Sequence, residues 1–373
     1  MIATLRVREM LKKELRQMFR DPRMKRIIFI APVIQLIAFG YAVNTDIRHT
    51  ATFVVDHDRS AESRELLDAF QSTGYFALTA GSDRPRDMVA ALDAGDATVG
   101  IQIPADFARA LAHPDGARVQ VILDGTKSNT ATVAQGYATQ IIRRYALERA
   151  AETGLIPGIG VDPRMRAWYN PELESQVYNV PAVIGILILL MTLLLTALAV
   201  VREREMGTLD QLAVSPLSAT ELMLGKTLPV VLIALIDLFL ITAIAILWFG
   251  IPLRGSVFVL LPAALLYIIA GISFGLLIST LSRTQQEAIM TMFLFLLPAI
   301  ILSGFFYPIS SMPKLFQWLT LLNPVRHFLE VVRAVFLKGT GLSLLWPQFL
   351  ALALMAAGAL QLAIVRFRRT VAA

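Results

Sequence analysis

Apolar and polar residues are sorted along this chain into long blocks, and the blocks predict most of its elements. Apolar runs at residues 27–43, 180–201, 228–249, 257–281, 288–306 and 349–365 each cross or nearly cross a hydrocarbon core of about 30 Å when helical, at about 1.5 Å per residue. Ahead of the first run, Val7, Met10, Leu11, Leu15 and Met18 recur at helical spacing, while Arg6, Lys12, Lys13, Arg16 and Arg20 fall mostly on the other side. That polarity predicts a cytoplasmic helix over residues 1–26 lying in the membrane interface, with its basic groups near anionic headgroups. Asp21-Pro22 ends it, because proline lacks an amide hydrogen and disfavours helix at the residue before it.

Residues 44–179 read differently. Short runs predict strands at 52–56, 75–79, 98–103 and 119–123, alternating with helices at 61–72, 86–94, 106–112 and about 129–152. Units of that length in that order predict an α/β or α+β domain built on one sheet. A Gly- and Pro-containing loop at 155–163 leads the chain back toward its second apolar run.

Composition then fixes the class. Of 373 residues, 56% are hydrophobic and 17% charged, too little polar surface for a soluble protein. The expected fold is an α-helical polytopic membrane protein with six transmembrane helices and an inserted α/β (or α+β) extracytoplasmic domain. The absence of cysteine excludes disulfides, thiolate metal sites and cysteine nucleophiles. The net charge of +6 sits beside apolar runs, where it orients the chain rather than binding nucleic acid. Arg202, Arg204 and Lys226 lie between runs two and three, Arg283 between four and five, and Arg366, Arg368 and Arg369 after run six. All share a side with the basic N-terminus, which places both termini in the cytoplasm and residues 44–179 outside. The outer segment 307–348, with Lys314, Arg326, Arg333 and Lys338, runs against that rule. The first run, with its preceding charge and its small pair Gly40 and Ala42, also has features of a secretory signal, but it exceeds the usual apolar region of about 7–15 residues and reads as an uncleaved span.

Candidate chemistry is sparse. The charged island at 202–227 is too polar for a bilayer and longer than a solvated turn needs. Thr208 with Gln211, and more closely Ser218 with Glu221, resemble capping boxes, so the island reads as two short helices broken near Pro216. Its Glu203, Arg204, Glu205, Gly207 and Thr208 are the candidates for docking a soluble partner, with at least one acid turned toward that partner. Asp237, in the middle of the third run, is expensive there unless neutral, hydrated or paired; it is either a functional group or a protonated donor bonded to Thr242 or another span. Gly271 and Gly275 form a G-x-x-x-G spacing that lets two helices approach closely. In the outer segment, Tyr307, Pro308, Asn323, Pro324, Arg326 and His327 punctuate two amphipathic helices. One carries Leu315, Trp318, Leu319 and Leu322, and the other Phe328, Val331, Val332 and Val335. Both are expected on or in the outer leaflet, lining an exit path or serving as plain anchors.

Other chemistry is not supported. His49, His57 and His113 lack metal-ligand spacing, and Asp56-His57-Asp58 reads as a polar turn rather than a ligand cluster. Gly225-Lys226-Thr227 has the end of a phosphate-binding loop, but Thr220 stands where the first glycine is required. No catalytic or metal-binding residue is assigned.

Several motifs together resemble the ABC-2 type permeases, most closely their bacterial multidrug-export branch. They are Glu203-Arg204-Glu205 with Gly207-Thr208-Leu209, then Ser215–Ser218, Glu221-Leu222 and Leu224–Lys226, and later Leu302–Phe305, Tyr307-Pro308, Met312-Pro313, Asn323-Pro324 and Phe336–Gly339, preceded by Trp168–Ser175. His327 stands where the family's outer pattern commonly has tyrosine. The resemblance implies a dimer, homo- or heteromeric, of six-span permease subunits in the bacterial inner membrane. It also implies that the central loop couples to separate cytoplasmic ATPase subunits, which hold ATP and Mg, and it admits a periplasmic membrane-fusion adaptor. A hydrophobic or amphipathic small molecule would then move outward by alternating access. The main alternative is a proton-coupled transporter using Asp237; a sensor would need a larger inner domain, and an intramembrane hydrolase a second catalytic group.

Overall fold

The computed structural model describes residues 2–42, 49–111, 113, 116–125, 128–153, 169, 174–207 and 218–372. The chain forms two compact units, Met1–Asn44 with Ala167–Ala373, and Thr45–Arg166. In the first, α1 (Ile2–Arg20) ends before Asp21, and α2 (Pro22–Lys25) passes through a π-helical turn, Arg26–Ile30, into α3 (Ala31–Ala42). The buried stripe of α1 is Met10, Glu14 and Met18, and the helix packs along a later helix of the same unit. A carboxylate thus lies in the buried face of this amphipathic helix. Gly40 has a packing role, since a Cβ there would stand 2.5 Å from the Phe249 ring.

The second unit is a four-stranded sheet in the order β2-β1-β3-β4, built from β1 (Thr50–Asp56), β2 (Phe76–Gly81), β3 (Val99–Ile103) and β4 (Gln120–Leu123). β1 runs parallel to both β2 and β3, and β4 is antiparallel to β3. Parallel neighbours need crossovers, supplied by α4 (Ala61–Ser72) and α5 (Pro85–Ala94); α6 (Phe107–Leu111) and α7 (Ser128–Thr153) complete the unit. One core holds Leu66, Phe70, Phe76, Val99, Ile101 and Tyr145, and the other Phe53, Val55 and Met88, so helices cover both faces. Asp56 Oδ1 accepts from the amides of Asp58 and Arg59 at 3.0 Å, its Oδ2 accepts from Ser63, and Asp58 accepts from the Ala108 amide. The Asp56-His57-Asp58 sequence thus holds a turn together.

The remaining helices of the first unit are α8 (Ser175–Glu205), α9 (Ala219–Leu247), α10 (Val257–Leu281), α11 (Gln285–Ile301), α12 (Lys314–Thr320), α13 (Pro324–Arg333) and α14 (Leu342–Ala372). Among the described residues, four helices are long and apolar enough to cross a membrane, Ser175–Glu205, Thr220–Leu247, Val257–Leu281 and Leu342–Phe367, while Arg26–Ala42 and Gln285–Ile301 are shorter apolar helices. α8 is the centre, packed by α3, α9, α10, α11 and α13. Close approach of α10 depends on its glycines: a Cβ on Gly275 would lie 2.9 Å from Thr196 Cβ, and one on Gly271 would collide with Thr192. Tyr267 of α10 donates to the Gly185 carbonyl at 3.0 Å and stacks on Phe328 of α13, with ring centres 4.2 Å apart. α14 starts at Leu342 and carries Pro347 inside it, where the apolar run alone left that proline outside; so near a helix start, proline removes a single intrahelical bond.

Candidate functional site

At its described ends the charged island is the last turn of one long helix and the first turns of the next. Arg202–Glu205 close α8. Ser218 caps α9 in a reciprocal capping box with Glu221, satisfying free amides at the helix start. Residues 208–217, with Thr208 and Pro216, lie outside the described residues.

Three helices meet at Lys226, in the second turn of α9, whose side chain is 2% exposed. Its Nζ lies 2.6 Å from Glu203 Oε2 of α8 and 3.6 Å from Glu14 Oε1 of α1, and it donates to the Ala199 carbonyl at 3.3 Å. Lys13 Nζ stands 3.8 Å from Glu14 and 4.0 Å from Glu203. Buried charge is tolerable when so surrounded. The joint is tight, because a Cβ on Gly225 would lie 2.5 Å from Met10 Cγ. Gly225-Lys226-Thr227 is helical here, with its lysine buried in ion pairs, and it forms no phosphate-cradling loop.

The neighbouring island charges are also engaged within the chain. Arg204 Nη1 donates to the carbonyls of Ser282, at 2.8 Å, and Ser279, at 3.4 Å, where α10 leaves carbonyls unsatisfied and its dipole favours a cation. Glu205 accepts from Gln285 at the start of α11, 2.7 Å from the side-chain nitrogen and 3.4 Å from the amide. Glu203 is buried in its ion pairs, whereas Glu205 is exposed while it accepts from Gln285. Gly207 takes φ +69°, a region open chiefly to glycine. Beside the joint lies a cleft of about 390 Å³, lined by Gln17, Leu198, Arg202, Glu203, Met206 and Gln285 among others.

Asp237 is fully buried, and among the described residues neither of its oxygens nor the Thr242 hydroxyl has a hydrogen-bond partner. The expected Asp237–Thr242 bond is absent because five residues place the two about 140° apart around a helix.

The outer-segment residues separate into structural ties and cavity wall. Asn323 accepts from the Val325 amide at 3.1 Å and donates to the Ala299 carbonyl at 2.7 Å, with Pro324 in the first turn of α13, so the Asn-Pro pair starts this helix and ties it to α11. His327 is buried, and its Nε2 lies 3.0 Å from the Leu321 carbonyl; a carbonyl only accepts, so Nε2 carries the proton. Arg326 donates to Thr320 and to the Gln317 carbonyl, linking α12 to α13. Tyr307 is exposed. Pro308, Arg326 and Arg333 line a cavity of about 1060 Å³. Phe328, Val331, Val332 and Val335 are fully buried, which corrects the expectation of a second surface helix.

Sequence reasoning missed the ion-pairing of Glu14 and the partial burial of Arg333. For Glu14 a signal exists: it lies four residues from both Met10 and Met18, in line with the apolar stripe. Arg333 is a lone cation within the apolar stretch from Phe328 to Leu337.

Long apolar helices wrapped on one buried helix define a multi-pass membrane protein. Residues 26–365 match the model of a family described as ABC-2 family transporter protein, and the chain belongs to that family. It is 34% identical over 362 residues to the probable multidrug ABC transporter permease YbhR of Escherichia coli (strain K12), covering 97% of this chain and 98% of the relative. The probable multidrug ABC transporter permease YbhS of the same strain is 32% identical over 90% of this chain and 89% of its own length. The inner membrane transport permease YhhJ, also of that strain, is 28% identical over 96% of both chains.

Proposed function

We propose that this chain is the permease subunit of an ATP-binding-cassette exporter in the bacterial inner membrane. It moves a hydrophobic or amphipathic small molecule outward, driven by separate ATPase subunits beneath it. In this reading α3 and α11 also span, giving six crossings with both termini cytoplasmic and Thr45–Arg166 outside, and a second permease subunit completes the path. Near end-to-end similarity to proteins named as multidrug permeases supports the assignment. The observation that carries the mechanism is the joint at Lys226, where α1, α8 and α9 are locked by ion pairs beside an open cleft. A force applied there by a docked ATPase is transmitted directly to the central helix α8, and tilting α8 against α10 and α13 is a shear movement of packed helices.

Arg202 and Met206 line the cleft without belonging to the Lys226 cluster, and Met206 is 54% exposed. Met206→Asp is therefore expected to weaken co-purification of the ATPase and abolish cargo-stimulated hydrolysis while the permease still inserts and folds. Undiminished docking and stimulation would reject the cleft as the coupling surface. A second reading, proton coupling, is favoured by the unpartnered carboxyl group of Asp237. It requires transport that persists without the ATPase and stops in Asp237→Asn.

A further inference from the structure

Among the described residues, the cavity of about 1060 Å³ in the outer segment carries three cationic side chains in its lining, Arg326, Arg333 and Lys338, against one carboxylate, Glu330. Arg333 Nη1 donates to the Gly304 carbonyl at 3.3 Å, and its guanidinium lies 3.8 Å from the centre of the Tyr178 ring. Its Nε and Nη2 are buried and donate to no atom among the described residues. Glu330, one turn earlier, is exposed and forms no ion pair with it. A buried cation without a carboxylate is unfavourable unless something supplies one. Nε and Nη2 are also the two parallel donors on one edge of the guanidinium, the edge that matches two oxygens of a carboxylate or phosphate. Tyr178 holds the plane of the group from one face and leaves that edge free of the ring. The rest of the wall includes Ile309, Leu329, Leu337, Leu344 and Leu345, so an apolar body can follow an anionic head.

We propose that this cavity binds the oxyanion head of an anionic amphiphile, and that Arg333 turns its enclosed Nε–Nη2 edge toward the cavity to take two of the oxygens. Lys338 adds charge at the exposed rim, and the leucines hold the apolar body. The head can belong to an anionic phospholipid or to a diffusible carboxylate- or phosphate-bearing amphiphile, since the recognising chemistry is the same. The site does not depend on the direction of transport or on the ATPase.

Thermal unfolding of the full-length chain, purified in dodecyl maltoside, tests this with three probes: phosphatidylglycerol, phosphatidylcholine with the same acyl chains, and dodecyl phosphate. At least one anionic probe is expected to raise the midpoint in a saturable manner, with phosphatidylcholine without effect. A response to phosphatidylglycerol alone identifies a lipid site, a response to dodecyl phosphate alone a site for diffusible amphiphiles, and a response to both a site that reads only the head. Arg333→Gln should weaken the apparent affinity at least about tenfold, the scale of a charge-assisted pair. Arg333→Lys, which keeps the charge and loses the paired edge, should fall between it and the wild type. Lys338→Ser, at an exposed position, should lower affinity by about two- to threefold and provides the test if Arg333→Gln does not fold. The proposal is overturned if no anionic probe shifts the midpoint, if phosphatidylcholine shifts it equally, or if the folded variants bind as the wild type does. Because the ATPase is absent from the assay, these outcomes leave the exporter reading standing, and failure of the exporter reading leaves them standing.

Discussion

Lys226 is buried and Arg333 half-buried, and the structure treats these two cations in opposite ways. Lys226 has two carboxylates within 4 Å and a carbonyl acceptor. Among the described residues, Arg333 has one carbonyl, one aromatic face and two enclosed donors without partners. The first is a closed network, in which each charge is balanced by helices distant in sequence, and its role is to fix geometry. The second is electrically incomplete, and incompleteness at a cavity wall points to a ligand. Burial of a charge thus says little about its function until its partners are counted.

The largest effect is expected from breaking the closed network. Lys226→Met leaves Glu203 and Glu14 buried beside an apolar side chain, and should destabilise the purified protein by about 3–5 kcal/mol, read as a lower unfolding midpoint and reduced folded yield. Adding Glu203→Gln should recover more than half of that loss; a double variant no better than the single would show that the carboxylates are not what Lys226 serves.

A smaller loss, about 1–3 kcal/mol from overpacking, is expected for Gly225→Val, which pushes Met10 and with it α1 away from the joint. Faster limited proteolysis within α1 is the measurement. Unchanged protection would mean that α1 is held by something other than this contact.

Asp237 offers a buried polar group without a partner among the described residues, a control for both cations. Asp237→Leu removes an unsatisfied carboxyl while keeping the branched shape of the side chain, and should raise stability by about 1–2 kcal/mol, with ATP-driven export retained. Loss of export by a well-folded variant would move Asp237 into the transport machinery.

The smallest effect is expected at Arg333 itself in the absence of any anion. Arg333→Met gives up one hydrogen bond and a ring contact but also removes two unpaired donors, so the net change should stay under about 1.5 kcal/mol in either direction. A loss as large as that of Lys226→Met would erase the distinction between the two sites.

Much of the fold was legible in the sequence because its signals are local. The helix at Ala61–Ser72 and the helix at Val257–Leu281 fall where the patterns place them, since periodicity and turn residues act over a few positions. The capping box at Ser218 was readable for the same reason. The outer segment was less legible. α12 leaves Leu315 and Trp318 about 70% exposed, whereas α13, with a similar apolar pattern, buries Phe328 and Val332 completely. An amphipathic pattern states that a face needs cover and not what covers it.

The sequence by itself determined that this is a chain of membrane-length helices with a mixed α/β unit inserted after the first apolar run, because hydrophobic run length and strand-helix alternation are properties of neighbouring residues. It also carried the family motifs. Only the tertiary structure decided that Glu203 and Glu14 both meet Lys226, that Arg204 caps α10, that Asp237 misses Thr242, and that Arg333 lines a cavity with two enclosed donors unused among the described residues. Those pairings depend on the rotation and spacing of helices far apart in the chain, and a Coulomb interaction that falls with distance and rises as water is excluded is set by where the folded helices stand.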